Sequence, residues 1–232
     1  MLTVSNLSSN YGNIRAVRHV DLKVPRGSLV SLIGANGSGK STTMKSIAGH
    51  HRIAGGKIEF DGQEIHHWRA FEIVRAGLCF IPERPDSILA PLTVEENLSL
   101  SSYAGRGDQA AMRTRIFEIF PRLKDRRRQV AGSMSGGEQQ MLAIARGLLT
   151  DPKLMLIDSP VIGLAPSIVD LVYEAILNVH RSGVSILMIE QNAAMALVVS
   201  DYAYVLHRGQ NAMEGTGEQL RNSQEVVDAY LG

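Results

Sequence analysis

The residues from Gly34 to Ser41 carry the most specific chemical pattern in the chain. They read GANGSGKS, and they stand between an apolar run that predicts a strand and a stretch that predicts a helix. This matches G-x-x-x-x-G-K-[ST] in the required context. Glycines let backbone amides converge on phosphate oxygens, and the helix directs its positive end at the same anion. A glycine-rich turn without a ligand is the alternative, but the complete order of elements favours nucleotide binding.

Each position of this loop has an expected role. Lys40 would reach the terminal phosphates, and the Ser41 hydroxyl would bind Mg²⁺. The other positions expected to surround the nucleotide phosphates are Gly34, Asn36, Gly37, Ser38, Gly39 and Thr42.

A second metal ligand is expected at the end of a buried strand. Residues 153–158 read KLMLID, an apolar run that ends in Asp158. On this segment alone, an aspartate in an ordinary strand-end turn is the alternative. Beside the phosphate loop, Asp158 becomes the predicted second ligand of Mg²⁺.

Short apolar runs and helical patterns alternate along the chain, which predicts an α/β fold with a mainly parallel sheet that would position these residues. The N-terminal part differs, because shorter strands and an Asp61-Gly62 hairpin signal predict a small antiparallel sheet. The predicted strands are Leu29–Ile33, Leu78–Ile81, Leu154–Ile157 and Ser185–Ile189 for the main sheet, and Leu2–Leu7, Ile14–Val24 and Lys57–Phe60 for the antiparallel one.

Helical patterns dominate from about residue 85 to residue 150. Thr93 and Glu96 form a capping box that predicts a helix through Tyr103, and apolar spacing predicts another helix over Gln109–Phe120. No long linker separates this region from the rest. We therefore expect a single domain over residues 1–232, with a helical subdomain at about 85–150 inserted in its core.

Composition excludes several function classes. The chain has 232 residues, with 24 Lys and Arg against 23 Asp and Glu, so it lacks the strong basic charge typical of nucleic-acid binding. One cysteine, Cys79, excludes a disulfide framework within the chain. A spanning helix needs about 18–20 mostly apolar residues, and the sequence contains no such window. We expect a soluble, intracellular protein.

The run MSGGEQQ, Met134–Gln140, resembles the signature motif of ABC ATPases, whose usual form is LSGGQ. Its serine and glycine amides would cap a helix and offer a second anion site. The resemblance implies a P-loop NTPase with a RecA-like core that binds ATP and Mg²⁺. It also implies that two ATP molecules are enclosed in a head-to-tail dimer, each contacted by the opposite protomer's signature. The implied signature contacts are Ser135, Gly136, Gly137 and Gln139, and the implied adenine-stacking residue is Tyr11.

Several shorter strings resemble one ATPase subunit of branched-chain amino-acid importers or of their urea and amide relatives: GANGSGKST, IPERP, LTVEENL, GLAP, IEQN and YLG. This implies a second ABC ATPase subunit, identical or different, transmembrane permease subunits, and indirectly a solute-binding protein, with no nucleic acid. The implied location is cytoplasmic, peripheral on the inner face of the membrane. A permease-free soluble ABC ATPase is the alternative, although such proteins often fuse two cassettes or carry long inserts.

The sequence also departs from the family pattern. The family places a catalytic Glu after the metal-binding Asp, but Ser159 stands here, and a serine hydroxyl has no useful basicity near neutral pH. Losing a general base costs about a hundred- to ten-thousand-fold in rate. Glu83 replaces a Gln at a position implied to be catalytic and metal-binding, Gln191 replaces the switch His, and Ala165 replaces an Asp. Lys40, Asp158 and Ser159 complete the implied catalytic set.

Two hypotheses follow from Ser159. In the first, the protein is a transport ATPase whose own site is slow, while its signature motif completes a competent site on a partner subunit. In the second, it is a regulatory subunit that binds nucleotide without hydrolysing it. Glu83 or Glu190 could supply a compensating carboxylate, and the sequence places neither at the attacking water.

The resemblance also implies a surface that receives short helices of the permease, formed by Trp68–Ala76 and Glu83–Leu98. We expect its exposed apolar residues to include Ile88, Leu89 and Leu92. The core of the helical region is the alternative place for these side chains.

Overall fold

The chain forms two units in a computed structural model that describes residues 1–83, 88–102 and 108–226. The first unit contains Met1–Ile73 and Ser185–Gly232, and the second contains Val74–Val184. In chain order the elements are β1 (Leu2–Tyr11), β2 (Ile14–Val24), β3 (Leu29–Ile33), α1 (Lys40–Ile47), β4 (Gly55–Phe60), β5 (Gln63–Glu64), α2 (Ala70–Ala76), β6 (Leu78–Ile81), α3 (Val94–Ser102), α4 (Gln109–Ile119), α5 (Pro121–Asp125), α6 (Gly136–Leu148), β7 (Leu154–Asp158), α7 (Pro166–Arg181), β8 (Ser185–Glu190), α8 (Ala193–Val199), β9 (Tyr202–His207), β10 (Gln210–Gly215), α9 (Gly217–Arg221) and α10 (Gln224–Val226).

An antiparallel sheet in the first unit has the strand order β2-β1-β4-β5. Leu2 and Val4 of β1 are buried in alternation, and after a register shift between Val4 and Leu7 the buried face continues with Leu7, as expected for a sheet with one covered face. Asp61 and Gly62 join β4 to β5 with φ of 49° and 81°, and two positive φ angles define the type I′ turn that suits a two-residue hairpin. The predicted antiparallel sheet and its hairpin are confirmed.

A second group of strands in the first unit is built around β3. Strand β3 lies parallel to both β8 and β9, and β9 pairs antiparallel with β10. Every residue of β3 and β8 is buried, which explains why both read as continuous apolar runs rather than alternating ones. The carboxyl end of β3 delivers the chain into the glycine-rich loop.

The second unit pairs β6 parallel with β7, from Leu78 opposite Leu154 to Ile81 opposite Ile157. The predicted α/β fold with parallel strands is therefore confirmed in both units. The capping box also forms, because the Thr93 amide donates to Glu96 Oε2 at 2.8 Å and the Glu96 amide donates to Thr93 Oγ1 at 3.2 Å. The Thr93 donors lower the pKa of Glu96. Tyr103, the predicted end of this helix, lies outside the described residues.

Within the part of the chain that the structure describes, no helix is both long and apolar enough to span a bilayer.

Cys79 lies in β6 and is buried in the second unit. Burial penalises the thiolate and raises the pKa of the thiol from 9.0 to about 11, although a hydrogen bond with Thr150 opposes the shift. The thiol is therefore neutral at physiological pH and unreactive in the folded protein.

We expect the free energy of unfolding to fall by about 2–3 kcal/mol as the pH rises from 9.0 to about 11, because the thiol ionises in the unfolded chain before it ionises in the folded one. Denaturant unfolding over this range would be compared with Cys79→Ala, in which this contribution is absent and other titrations are retained. Equal pH slopes in the two proteins would contradict the assignment.

Candidate functional site

The glycine-rich loop of the first unit connects β3 to α1 and lies against backbone from distant parts of the chain. Gly34 has φ of 150°, and a Cβ there would overlap the Leu206 carbonyl oxygen. Gly39, the residue before α1, has φ of 101°, and a Cβ there would lie 2.7 Å from the Ala16 carbonyl oxygen. Only glycine satisfies both the backbone angle and the close approach at these positions.

The turn between β9 and β10 supports this loop from outside. The Gly209 amide donates to the Ser38 carbonyl at 2.9 Å, and the Arg18 amide donates to the Gly209 carbonyl at 2.7 Å. Gly209 therefore joins the loop to β2. Sequence reasoning missed this residue and the two strands, β9 and β10, that its turn joins.

Lys40 places its charge inside the loop. Its ammonium group donates to the carbonyl oxygens of Gly34 at 2.7 Å and Ala35 at 2.9 Å, and the residue is only 6% exposed. Ser38 Oγ is buried beside it and has no hydrogen-bond partner among the described residues. Because an unsatisfied buried hydroxyl is costly, this loop suits a ligand with oxygen atoms that accept hydrogen bonds.

The remaining loop residues are more accessible. Asn36 and Gly37 are exposed, whereas Ser41 and Thr42 are half-buried in the first turn of α1. This arrangement leaves the N-terminal turn of an eight-residue helix partly open to a ligand, with its positive end directed toward the loop.

Tyr11 is half-exposed at the end of β1 and stacks on His51. Their ring centroids are 4.3 Å apart and the rings are inclined by 26°. His51 Nε2 also lies 3.1 Å from the Asn10 carbonyl oxygen. The sequence offered no signal for this pair, because the two rings meet only through the packing of the loop after α1 against β1.

Asp158 ends the fully buried strand β7 of the second unit and is itself 2% exposed. Ser159 follows with φ of 48°, a left-handed conformation, and is 3% exposed. Its hydroxyl donates to Asp158 Oδ1 at 3.2 Å. The serine is therefore oriented toward the carboxylate that precedes it.

The signature run forms the start of α6. Ser135 is the N-cap, with its Oγ accepting from the Glu138 amide, while Glu138 Oε2 accepts from the Ser135 amide at 3.0 Å and from its hydroxyl at 2.9 Å. Ser135 and Gly136 are exposed, so the positive end of a 13-residue helix faces outward. The predicted helix cap is confirmed, and Glu138 is a participant that sequence reasoning missed, although its spacing from Ser135 matches the capping box.

Gln139 lies one position beyond Glu138, which occupies the place of the Gln in LSGGQ, and its side chain fastens the turn before Ser135. Its amide nitrogen donates to the carbonyl oxygens of Ala131 at 3.2 Å and Met134 at 3.3 Å. These bonds fasten the turn before Ser135, and they direct the side-chain donor of Gln139 toward its own chain.

Comparison with known proteins identifies the family. The ABC transporter family matches residues 17–162. The chain belongs to the ABC transporter ATPases. It is 43% identical to a high-affinity branched-chain amino acid transport ATP-binding protein, BraG of Pseudomonas aeruginosa, over the full length of both chains. It is 33% identical to a probable branched-chain amino acid transport ATP-binding protein, LivF of Archaeoglobus fulgidus, over 100% of this chain and 99% of that one.

Solved structures of ATP-binding cassettes share the fold. A nucleotide-free cassette from an ABC transporter matches with a TM-score of 0.86 and 28% identity, covering 100% of this chain and 99% of that one. An ADP-bound conformation of a cassette matches with a TM-score of 0.86 and 27% identity, covering 100% and 98%. The predicted P-loop NTPase fold of an ABC cassette is confirmed.

The other positions where this ABC ATPase departs from its family are accessible. Glu83 and Gln191 are exposed, and the Gln191 amide donates to Glu190 Oε2 at 3.2 Å. Ala165 precedes α7 and gives that helix no side-chain cap, as expected when an aspartate at this position is absent. Two of the strings that resemble importer ATPases lie partly or wholly outside the described residues. These are IPERP, which extends into Arg84 and Pro85, and the closing YLG.

Gly137 allows α6 and α7 to pack closely, since a Cβ at this position would overlap Ile168 Cγ2. We expect Gly137→Ala to lower the free energy of unfolding by about 1–3 kcal/mol through overpacking, and thermal or denaturant unfolding would measure it. Gly136→Ala is the matched control, because its Cβ would meet only Leu164 Cδ2 at 3.3 Å. Equal stabilities of the two variants would contradict this packing role.

Proposed function

We propose that this ABC ATPase is the ATP-binding subunit of a membrane importer for branched-chain amino acids or similar small solutes. The full-length similarity to BraG and LivF supports this solute class. The lipopolysaccharide export protein LptB of Haemophilus influenzae is also similar, at 32% identity, so the substrate class rests on the higher identity to the amino-acid proteins. In this proposal the subunit lies on the cytoplasmic face of the membrane and drives a separate permease.

ATP would be bound by the loop and α1 in the first unit. The Lys40 ammonium, held among loop carbonyls, would exchange those contacts for phosphate oxygens, and the buried Ser38 hydroxyl would gain the partner it lacks among the described residues. Loop amides and the α1 terminus would add the contacts expected from Gly34, Asn36, Gly37, Gly39 and Thr42. Tyr11, supported by His51, would stack on adenine.

Mg²⁺ would be bound through oxygen atoms. The buried carboxylate of Asp158 is the kind of hard ligand this ion prefers, and the Ser41 hydroxyl is the second ligand implied by the family motif. Glu83 is a third candidate from the sequence. The ion would supply charge neutralisation at the phosphates.

The start of α6 would bind the nucleotide held by an opposite subunit. Its exposed Ser135 and Gly136 support this role, because outward-facing amides at a helix N-terminus attract phosphate. Gly137 would contribute through its amide. Gln139 contributes to the proposal as a residue that holds the preceding turn, given its bonds to Ala131 and Met134.

The observation that carries our proposal for hydrolysis is that the serine at position 159 cannot serve as a base. Its hydroxyl donates a hydrogen bond to Asp158, and it is neither basic nor long enough to act as the family's glutamate does. ATP binding depends on other residues. We therefore propose that the protein closes on ATP, hydrolyses it slowly at its own site, and contributes its signature motif to the site of a partner.

A second candidate function has the same observation in its favour. If no other carboxylate compensates for Ser159, the subunit is a regulatory one that binds nucleotide without hydrolysing it. Glu190 is a buried carboxylate, at 2% exposure, and Glu83 is exposed. Both remain open as compensating groups.

Restoring the missing base tests the proposal. We expect Ser159→Glu to raise the steady-state ATPase rate of the purified protein by about a hundredfold or more, while ATP affinity changes little. Ser159→Gln is the matched control, because it has similar size and no basicity. An unchanged rate in Ser159→Glu, or wild-type hydrolysis already at rates typical of the family, would contradict the impaired-site proposal.

Partner dependence separates the two candidates. A slow transport ATPase gains activity when its partner ATPase and permease are added, whereas a regulatory subunit shows no hydrolysis of its own in any assembly. Measuring the Glu190→Gln and Glu83→Gln variants in that assembly identifies a compensating carboxylate by loss of the residual rate.

The exposed apolar side chains of the proposed permease surface lie close to α3, on the segments that precede it and pair with it. Leu89 is 43% exposed, while its backbone is fixed by the buried Asn97 side chain, which donates to the Leu89 carbonyl and accepts from the Leu89 amide. Val130 is 45% exposed on the segment that pairs with Thr93. The expectation that Ile88 is exposed is wrong, because it is 9% exposed and packs inside.

We expect Leu89→Asp to abolish co-purification with the permease, since a charge would enter an apolar interface, and to leave ATP binding intact. Val198→Asp is the control, because Val198 is 60% exposed on α8 of the other unit. Pull-down from membranes that contain the permease would be the measurement. Retention of the permease by Leu89→Asp would refute this docking surface.

A further inference from the structure

The N-terminus of α6 should attract phosphate, but Glu138 introduces a negative charge there. The residue is 7% exposed and lies in the first turn of the helix. One oxygen of its carboxylate serves the Ser135 cap. Because like charges repel strongly where solvent is excluded, an uncompensated carboxylate here would oppose the binding of an anion. The usual LSGGQ form avoids this conflict, since its fifth residue is a neutral Gln.

Arg126 lies on the other oxygen of the same carboxylate. Its Nε is 3.1 Å from Glu138 Oε1. The guanidinium also donates from Nη1 to Gln129 Oε1 at 3.0 Å, and Gln129 Nε2 donates in turn to Ser133 Oγ at 3.1 Å. The arginine is thus oriented by the turn that leads into the signature motif.

The backbone around Arg126 is fixed as well. The Glu95 amide donates to the Arg127 carbonyl at 2.9 Å, and the Val94 amide donates to the Gln129 carbonyl at 3.0 Å. These bonds attach the segment after α5 to the first turn of α3. The guanidinium therefore meets Glu138 from a backbone that is held immediately after Arg126, which reduces the entropy lost in forming the pair.

We propose that Arg126 is a positioning residue that neutralises Glu138 and so keeps the N-terminus of α6 attractive to the phosphates of a nucleotide bound by the opposite subunit. This inference rests on the proposed signature contact. The pair replaces the neutral Gln of the usual motif by two charges that cancel. It also holds the Ser135 cap, because Glu138 contacts both Arg126 and Ser135.

The neighbouring Arg128 provides a matched comparison. It lies two positions further along the chain and is exposed, and no ion pair between residues that the structure describes includes it. Removing its charge changes the net charge of the protein equally but leaves Glu138 compensated. A general electrostatic effect therefore acts on both arginines, whereas the positioning role belongs to Arg126 alone.

The experiment measures MgATP-dependent self-association of the full chain by sedimentation velocity, since a protein that lacks the catalytic Glu should accumulate as an ATP-bound dimer. The variants are Arg126→Gln, Arg128→Gln, Glu138→Gln and the double variant R126Q/E138Q. We expect Arg126→Gln to weaken dimerisation about threefold per site, hence about tenfold for two sites, and Arg128→Gln to leave it unchanged. In the Glu138→Gln background, adding R126Q should not weaken dimerisation further, because the charge that Arg126 neutralises is already absent.

Several results would overturn the inference. Equal dimerisation of wild type and R126Q would do so, and so would an R126Q loss of the same size in the Glu138→Gln background. ATP binding to the monomer, measured separately, shows that each variant is folded. If wild type binds ATP and does not self-associate, the opposite subunit is not a second copy of this chain, and a second measurement decides the role of Arg126.

That second measurement follows the amide resonances of Gly136 and Gly137 in the monomer during titration with inorganic triphosphate. Loop amides at Gly37 and Gly39 report the other anion site in the same sample. We expect R126Q to weaken the response of the α6 amides and to leave the loop amides unaffected. An unaltered α6 response in R126Q overturns the inference, and no α6 response in wild type overturns both it and the proposed signature contact.

Discussion

The close approach of backbone to backbone around the phosphate loop is the constraint on which the first unit depends. Carbonyl oxygens of Ala16 and Leu206 occupy the positions where side chains of the loop residues would otherwise stand. These atoms come from β2 and β9, on either side of the loop, so the loop conformation requires the antiparallel and parallel strands together. Gly209 adds hydrogen bonds to both the loop and β2. Nucleotide binding is thus built into the assembly of the unit rather than added to a finished scaffold.

Helix N-termini supply the electrostatic part of the proposed chemistry, and each unit treats its own terminus differently. In the first unit, α1 begins at a glycine with no side-chain cap, and the charge near it is the Lys40 ammonium. In the second unit, α6 has a complete capping box whose acidic member is paired with Arg126. A terminus without a cap leaves its amides to the ligand. A terminus capped by a carboxylate needs a compensating cation if it is also to attract an anion.

In the function proposed for this protein, Ser159 separates ATP binding from ATP hydrolysis. Its hydroxyl donates a hydrogen bond to the buried carboxylate of Asp158, and its backbone is left-handed. This hydrogen bond gives the serine a partner, but it supplies no base at position 159. The exposed serine and glycine at the start of α6 are unaffected by this change. Under that proposal, the subunit would still complete another subunit's site through its signature motif. This division favours an assembly in which two ATP sites are unequal.

The sequence by itself determined the features that depend on local pattern. The loop from Gly34 to Ser41, the strand ending at Asp158 and the capping boxes at Thr93 and Ser135 need only neighbouring residues, and alternation or continuity of apolar residues predicted most of the strands. Tertiary structure decided the contacts between residues far apart in sequence. It turned Gln139 toward its own chain, and it formed three further contacts: the brace at Gly209, the stacking of His51 on Tyr11 and the pairing of Arg126 with Glu138. Such contacts leave no periodic trace, because they depend on how separate elements pack and not on the propensity of any one of them.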